Sequence, residues 1–329
     1  MTDESRTIDA ASEPIGTRES GMSGASGRWR ASGLSRVFGI VRPLLRLLSC
    51  IRFDEVLVLQ GAPLIGAVLA MDGLTLGNIA KVAVLVTGNC CLVAHVVVLN
   101  DWSGMHGDLN DPNRAAGVFM TKGIGRTELG CLCVALLGLA LALFGALGAT
   151  TFVLASAIAV LSALYSAPAF HMKGLPLANS GLHLFGGLLH FLLGYAVFSA
   201  PDMRSVAVGC FFALVFAAGH LTHETRDREA DLLNGIRTNA VSFGRTNSFL
   251  AGFALFTIAD CLLIALAVQG AVPRILAGVA LLYPLHLYWT IRALREGLGF
   301  ESVRRLQGRY RALYGVIGLT LLSAAVLGR

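Results

Sequence analysis

Two acidic stretches interrupt an otherwise apolar chain. Residues 100–111, "NDWSGMHGDLND", carry Asp101, Asp108 and Asp111 directly after an apolar run that ends at Val98 and Leu99. Residues 223–235, "HETRDREADLLNG", carry Glu224, Asp227 and Asp231 at i, i+3 and i+7, a spacing that places all three on one face of a helix. Asp101 and Asp108, seven apart with Gly104 between them, share a face in the same way. Crowded carboxylates repel one another unless a cation stands between them. Mg2+ suits such a set, because it takes hard oxygen ligands and combines one or two carboxylates with phosphate oxygens and water. With Arg114, Lys122 and Arg228 close by in sequence, the two faces read as a site for a Mg2+-bound diphosphate. Either stretch alone would pass for solvated charge at a helix end.

A third segment, "YSAPAFHMKGLPLAN" at 165–179, sets Tyr165 and Lys173 on either side of a Pro-containing turn. A phenol and an ammonium there would supply donors to a phosphate oxygen. Taken by itself, such a segment is a connecting loop with one lysine.

The elements that must position these groups are membrane helices. Apolar residues make up 55% of the 329 and charged residues 14%, with a mean hydropathy of +0.69. A membrane helix needs about 20 apolar residues, and nine windows qualify, roughly 54–71, 79–99, 128–147, 150–167, 178–199, 205–222, 248–268, 272–291 and 311–328. Continuous runs rather than alternation argue against a β-barrel. The expected fold is therefore all-α, a polytopic bundle of about nine transmembrane helices around a central cavity, spanning 49–329. Residues 1–48 are rich in Ser, Gly, Thr and Arg, and are expected to form a disordered basic tail leading into an interfacial segment. No secretory signal pattern opens the chain.

Arg and Lys recur in alternate connections: Arg114, Lys122 and Arg126; Lys173; Arg226, Arg228, Arg237 and Arg245; and the run from Arg292 to Arg311. By the positive-inside rule these connections and the N-terminus are cytoplasmic, which brings both acidic stretches to one side. Topology accounts for the formal charge of +6, so nucleic acid is not an expected partner. Only Lys81, Lys122 and Lys173 among the 26 basic residues are lysines, a bias that hints at GC-rich coding and a bacterial inner membrane. The seven cysteines show no metal-ligand spacing and read as buried free thiols. His95, His183, His190, Tyr195 and Asp260 fall within spans, where ionisable groups are costly and face an interior; no zinc spacing links the histidines.

Three motifs at these points of a nine-span topology resemble the UbiA superfamily of intramembrane prenyltransferases. The second stretch is the closest match, with Glu224, Asp227, Asp231, Gly235, Thr238, Val241 and Gly244 fitting the family pattern. Tyr165, Ser166, Pro168 and Lys173 fit its loop motif, and the resemblance covers about residues 50–329. The first stretch departs from the family's Asn-Asp-x-x-Asp-x-x-x-Asp, because Gly104 replaces the middle acid. The resemblance implies Mg2+ held by Asn100, Asp108, Glu224, Asp227 and Asp231. It implies substrate contacts from Asn100, Asp101, Arg114, Lys122, Tyr165, Lys173 and Arg228, with Asp108, Asp227, Asp231 and Lys173 as the catalytic set.

The chemistry so implied is Mg2+-dependent transfer of a prenyl group from an isoprenyl diphosphate to an aromatic or other lipophilic acceptor. Breaking an allylic C–O bond needs the departing negative charge stabilised, and the carbocation must be kept from water by an apolar pocket. A terpene cyclase of the same fold, acting without an acceptor, is the alternative that Gly104 leaves open. A transporter or lipid-binding protein is a third reading, since transporters also place interrupted helices at polar sites.

Overall fold

The structure, a computed structural model, describes residues 45–327, so the expected tail lies outside the described residues apart from 45–48. Among the described residues there are helices and turns and no strand. The helices are α1 (Phe53–Val58), α2 (Gly61–Ala70), α3 (Leu76–Asn110), α4 (Arg126–Leu147), α5 (Ala149–Ser166) and α6 (Ala178–Tyr195). They continue with α7 (Met203–Leu233), a single turn α8 (Asn239–Ser242), α9 (Arg245–Val268), α10 (Tyr283–Arg295) and α11 (Phe300–Leu327). Eight segments are long and apolar enough to cross a membrane, with α1–α2 counted as one and the 3-10 turn Arg274–Leu281 joined to α10. The expected span at 178–199 forms α6, but Asn179, His183 and His190 leave it less apolar than the others. Large apolar side chains such as Val134, Val153, Val160 and Leu319 are exposed on the helix surfaces, where lipid is the medium that accepts them.

Three helices run longer than their apolar windows. α3 has 35 residues and α7 has 31, so each carries its acidic stretch as continuous helix beyond the apolar part. Their starts are fixed by caps: Thr75 Oγ1 accepts from Asn78 N, and Asp202 accepts from Ser205 N at 2.7 Å. Pro112 follows the end of α3, where it cannot continue the ladder. α7 ends in a left-handed turn at Gly235 (φ +67°), with Ile236 N donating back to Asp231 O at 2.8 Å. α11 begins at Phe300, ahead of the expected 311, so Arg304, Arg305 and Arg309 lie on helix rather than in a connection.

Packing brings α3 against α4 and α5, α6 against α2, α5 and α7, and α9 and α11 against α7. The α2–α6 crossing is close enough that a Cβ at Gly66 would overlap Phe191 O, and one at Gly194 would overlap Pro63 O. Small residues at such crossings let backbones approach in lipid. Several polar groups within the spans are paired across helices. Gln60 Oε1 accepts from Asn89 Nδ2 at 2.9 Å, and Asn89 Oδ1 meets His190 Nε2 at 2.7 Å. His95 Nδ1 lies 2.9 Å from Cys133 O. Asp260, which has no obvious partner in the sequence, accepts from Tyr314 OH at 3.2 Å and lies 3.6 Å from His286 Nδ1. The thiols are free but not uniformly buried: Cys50 and Cys133 are, whereas Cys131 and Cys261 are exposed on helix sides.

Candidate active site at the ends of α3 and α7

One face of α3 and one face of α7 meet over a single small cavity of about 40 Å3. From α3 come Asn100, Gly104, Gly107 and Asp108, with Asp111 just past its end; from α7 come Asp227, Ala230 and Asp231, with Asn234 just past its end. Both sets follow the i, i+4, i+7 or i, i+3, i+7 spacing of a helical stripe. Arg114, Lys173 and Ile236 complete the lining. A cleft of about 290 Å3 adjoins it, sharing Asp111, Asp227 and Ala230 as a common wall and adding Asn113, Arg226, Glu229, Arg245, Gly299 and Phe300.

Arg114 ties the two faces together. Its guanidinium pairs with Asp227 through Nη2, with Asp108 at 3.4 Å through Nη1, and with Asp111 at 3.6 Å through Nε. Burial works to lower the pKa of Arg114, but Asp227, Asp108, Asp111 and Asp101 outweigh it and hold the group above the usual guanidinium range. Asp227 also receives Arg226, with Nε at 2.6 Å and Nη2 at 2.9 Å. Arg226 in turn donates to Gln307 Oε1 on α11 at 2.8 Å and lies over the Phe300 ring. Asp231 accepts from Thr238 Oγ1 at 3.2 Å, a contact that the Gly235 turn makes possible. Asn234 donates to Gly107 O at 3.0 Å and accepts from Asn110, clasping the two helix ends together.

Other expected site residues stand elsewhere. Seven residues nearer the membrane than Asp231, and so about 10 Å along the helix axis, Glu224 is buried with both oxygens engaged. Oε1 accepts from Asn179 Nδ2, and Oε2 accepts from Asn239 N at 3.1 Å and Asn239 Nδ2 at 3.0 Å. Asp101 is paired with Arg52 Nη2 at 2.7 Å. Lys122 turns away from the cavity and donates to Ser49 O at 2.9 Å. Arg228 donates to Ala240 O at 3.1 Å and pairs with Glu229. Tyr165 packs edge-on against His183, whose ring lies 3.6 Å from that of His220 in a parallel stack.

Asn234 and Arg226 are absent from the site residues expected from the sequence, where Arg226 counts only as a basic residue of a connection. Asn234 lies at i+7 from Asp227, so extending the acidic face by one more turn would have found it. Arg226 carries no such signal, because a residue adjacent to Asp227 points about 100° away and only its long side chain brings it back.

Among the described residues no three His, Cys, Asp or Glu side chains are grouped closely enough to hold a metal ion as they stand. The donor set nonetheless fits Mg2+ in kind. Asp108 and Asp227, from different helices, already share one cation in Arg114, and a Mg2+ shell needs only one or two carboxylates when phosphate oxygens complete it.

Solved structures share this architecture. A UbiA homologue from Archaeoglobus fulgidus bound to DMAPP and Mg2+ superposes with a TM-score of 0.67 at 18% identity, covering 84% of this chain and 99% of that one. A digeranylgeranylglyceryl phosphate synthase gives 0.64 at 19% identity, covering 86% and 98%. The apo UbiA homologue from Aeropyrum pernix K1 gives 0.64 at 17%, covering 84% and 98%. At these identities the likeness is one of fold. No curated protein matches the chain significantly. The model of the UbiA prenyltransferase family matches residues 62–299, most of the chain and both acidic stretches, and the protein belongs to that family.

Proposed function

We propose that the protein transfers a prenyl group from an isoprenyl diphosphate to a lipophilic acceptor, with Mg2+ as the metal. The observation that carries this reading is the meeting of Asn100, Asp108, Asp227 and Asp231 with Arg114 and Lys173 around one cavity at the end of an apolar bundle. A substrate with a charged head and an apolar body matches that junction, and the family membership points the same way. The relatives solved with GPP or DMAPP and Mg2+ bind the same class of ligand.

Asn100, Asp108, Asp227 and Asp231 would hold the metal together with diphosphate oxygens. Bound there, the ion would supply charge neutralisation to the leaving group. Glu224, with both oxygens engaged, instead holds α6, α7 and α8 together beneath the site. Arg114 and Lys173 donate to phosphate oxygens, and Thr238 fixes the carboxylate of Asp231. The adjoining cleft beside Arg226 gives a diphosphate room that the small cavity alone lacks. In the reaction the C1–O bond of the prenyl diphosphate breaks, and its electron pair leaves with the diphosphate. A carbon or oxygen of the acceptor then bonds to C1, and the acceptor's proton passes to water. The apolar spans exclude bulk water from the cation. The distribution of basic residues supports a cytoplasmic acidic face, and we assign the protein to a bacterial inner membrane.

The test is product analysis by mass, using the full chain in detergent with Mg2+ and geranyl, farnesyl or geranylgeranyl diphosphate, with and without lipophilic aromatic acceptors. A prenylated acceptor formed with one diphosphate per product is the expected result. A cyclic hydrocarbon or alcohol formed without acceptor would replace this reading with cyclisation.

A further inference from the structure

The α10–α11 hairpin carries a basic surface that the acidic site does not use. Arg292, Arg295, Arg304, Arg305 and Arg311 are all exposed, and Arg309 lies with its guanidinium 5.8 Å from the Trp289 ring. Their positions along each helix are informative. On α11 the outward stripe reads Arg304, Arg305, Gly308, Arg311, Ala312, Gly315, Val316 and Leu319, all exposed, whereas Val303, Leu306, Gln307, Tyr310 and Leu313 are buried between them. The stripe passes from arginines to small and apolar residues at Ala312. On α10 the same outward face runs through Leu285, Tyr288 and Ile291 to Arg292 and Arg295. A stripe that faces hydrocarbon along most of its length faces the headgroup layer where it turns basic.

The pairing of these arginines is incomplete. Glu296 in the turn accepts from Arg292 Nε and from Arg305 Nη2, each at 2.8 Å, so it braces the two limbs of the hairpin. Arg304 lies 3.5 Å from Glu301. Among the described residues no carboxylate pairs with Arg295 or Arg311. Six arginines against two glutamates, on the lipid-facing side of adjacent helices at one membrane edge, form a surface of one sign. Groups that belong in that layer are headgroup phosphates, and Trp289 with its amphipathic ring suits the same depth.

We infer that the outward face of the α10–α11 hairpin is a binding site for the phosphate headgroup of anionic phospholipid, with Arg295 and Arg311 as its free cations. Headgroup phosphates supply the counter-charge that these two arginines lack, while their acyl chains lie along Val316 and Leu319 below. None of the six arginines lines the acidic cavity or its adjoining cleft, so the site stands or falls independently of the prenyl-transfer reading.

The experiment is lipid retention by the full chain, extracted from vesicles of equal parts phosphatidylglycerol and phosphatidylcholine and analysed by native mass spectrometry. Wild type is expected to retain phosphatidylglycerol about 25-fold over phosphatidylcholine, Arg295 and Arg311 each contributing roughly fivefold when close to an anionic surface. Arg295→Gln with Arg311→Gln returns the ratio toward that of the vesicle, and Arg295→Lys with Arg311→Lys keeps most of it. The basic N-terminal residues are unchanged in all three chains and cancel from the comparison. Should the glutamine pair fail to fold, raising the salt concentration is expected to erase the wild-type preference. Equal retention of the two lipids by wild type, an unchanged preference in the glutamine pair, or insensitivity to salt would each overturn the inference. A parallel titration with inorganic phosphate in lipid-free detergent separates the sources: phosphate binding that needs Arg295 and Arg311 but confers no lipid preference would assign them to free phosphate and overturn it as well.

Discussion

Single residues that look equivalent in sequence take different places in the structure. Lys122 and Lys173 both follow membrane spans, but only Lys173 lines the cavity while Lys122 donates to Ser49 O. Lys173→Ala is expected to lower kcat/KM by about 100-fold, the scale of removing one electrostatic contact to developing charge, and Lys122→Ala to change it less than about twofold. Steady-state kinetics on the two variants side by side checks the ranking, and equal losses would remove the distinction. Helical spacing alone sets Asp227 and Asp231 on one face, and both line the cavity; the same spacing sets Asp108 with Asp101, which is absent from that lining and pairs with Arg52. The tie through Arg114 was not legible, since it joins residues 113 apart in sequence and depends on where the loop after Pro112 returns. Gly104 remains a departure from the family pattern that the structure accommodates: a Cβ there would meet only Asp108 Oδ2, at 3.7 Å. Gly104→Asp is therefore expected to fold, with a thermal midpoint within a few degrees of wild type in circular dichroism.

The helices themselves are legible in the sequence where apolar runs are continuous, and less so where polar groups pair across the bundle. α6 is the clearest case: its Asn179 and His190 look costly in a span, yet each has a partner on another helix. Glu224 shows the same limit from the other side. Its spacing places it with Asp231, but the face count ignores depth, and a donor from Asn179 and two from Asn239 claim its oxygens. Glu224→Ala would strand those buried donors and cost roughly 2–4 kcal/mol, seen as a lowered thermal midpoint rather than as a pure loss of turnover. A variant of unchanged stability with abolished turnover would return Glu224 to the metal set. At the α2–α6 crossing, Gly194→Leu has no room beside Pro63 and is expected to abolish the monodisperse peak in size-exclusion chromatography, whereas Gly278→Ala, with open space around it, leaves the peak intact.

For the molecule as a whole, the design is a bundle with one polar end. Long extensions of α3 and α7 lift two acidic stripes out of the apolar layer, and the loops after α3 and α5 return Arg114 and Lys173 between them. Composition and periodicity made the helical bundle legible, and the two stripes meet at one end of it. The adjoining cleft was not legible in this way, because that hollow depends on where α9 and α11 begin relative to α7. The central claim is that these converging stripes bind and cleave an isoprenyl diphosphate with Mg2+. Its most direct test is diphosphate release by the purified full chain from geranyl, farnesyl and geranylgeranyl diphosphate, with Mg2+ and with chelator, in wild type and Asp227→Ala. The account predicts release that requires Mg2+ and falls by about 10²–10³-fold in the variant. Release of equal rate in wild type and Asp227→Ala, or none from any chain length across a panel of acceptors, would contradict it.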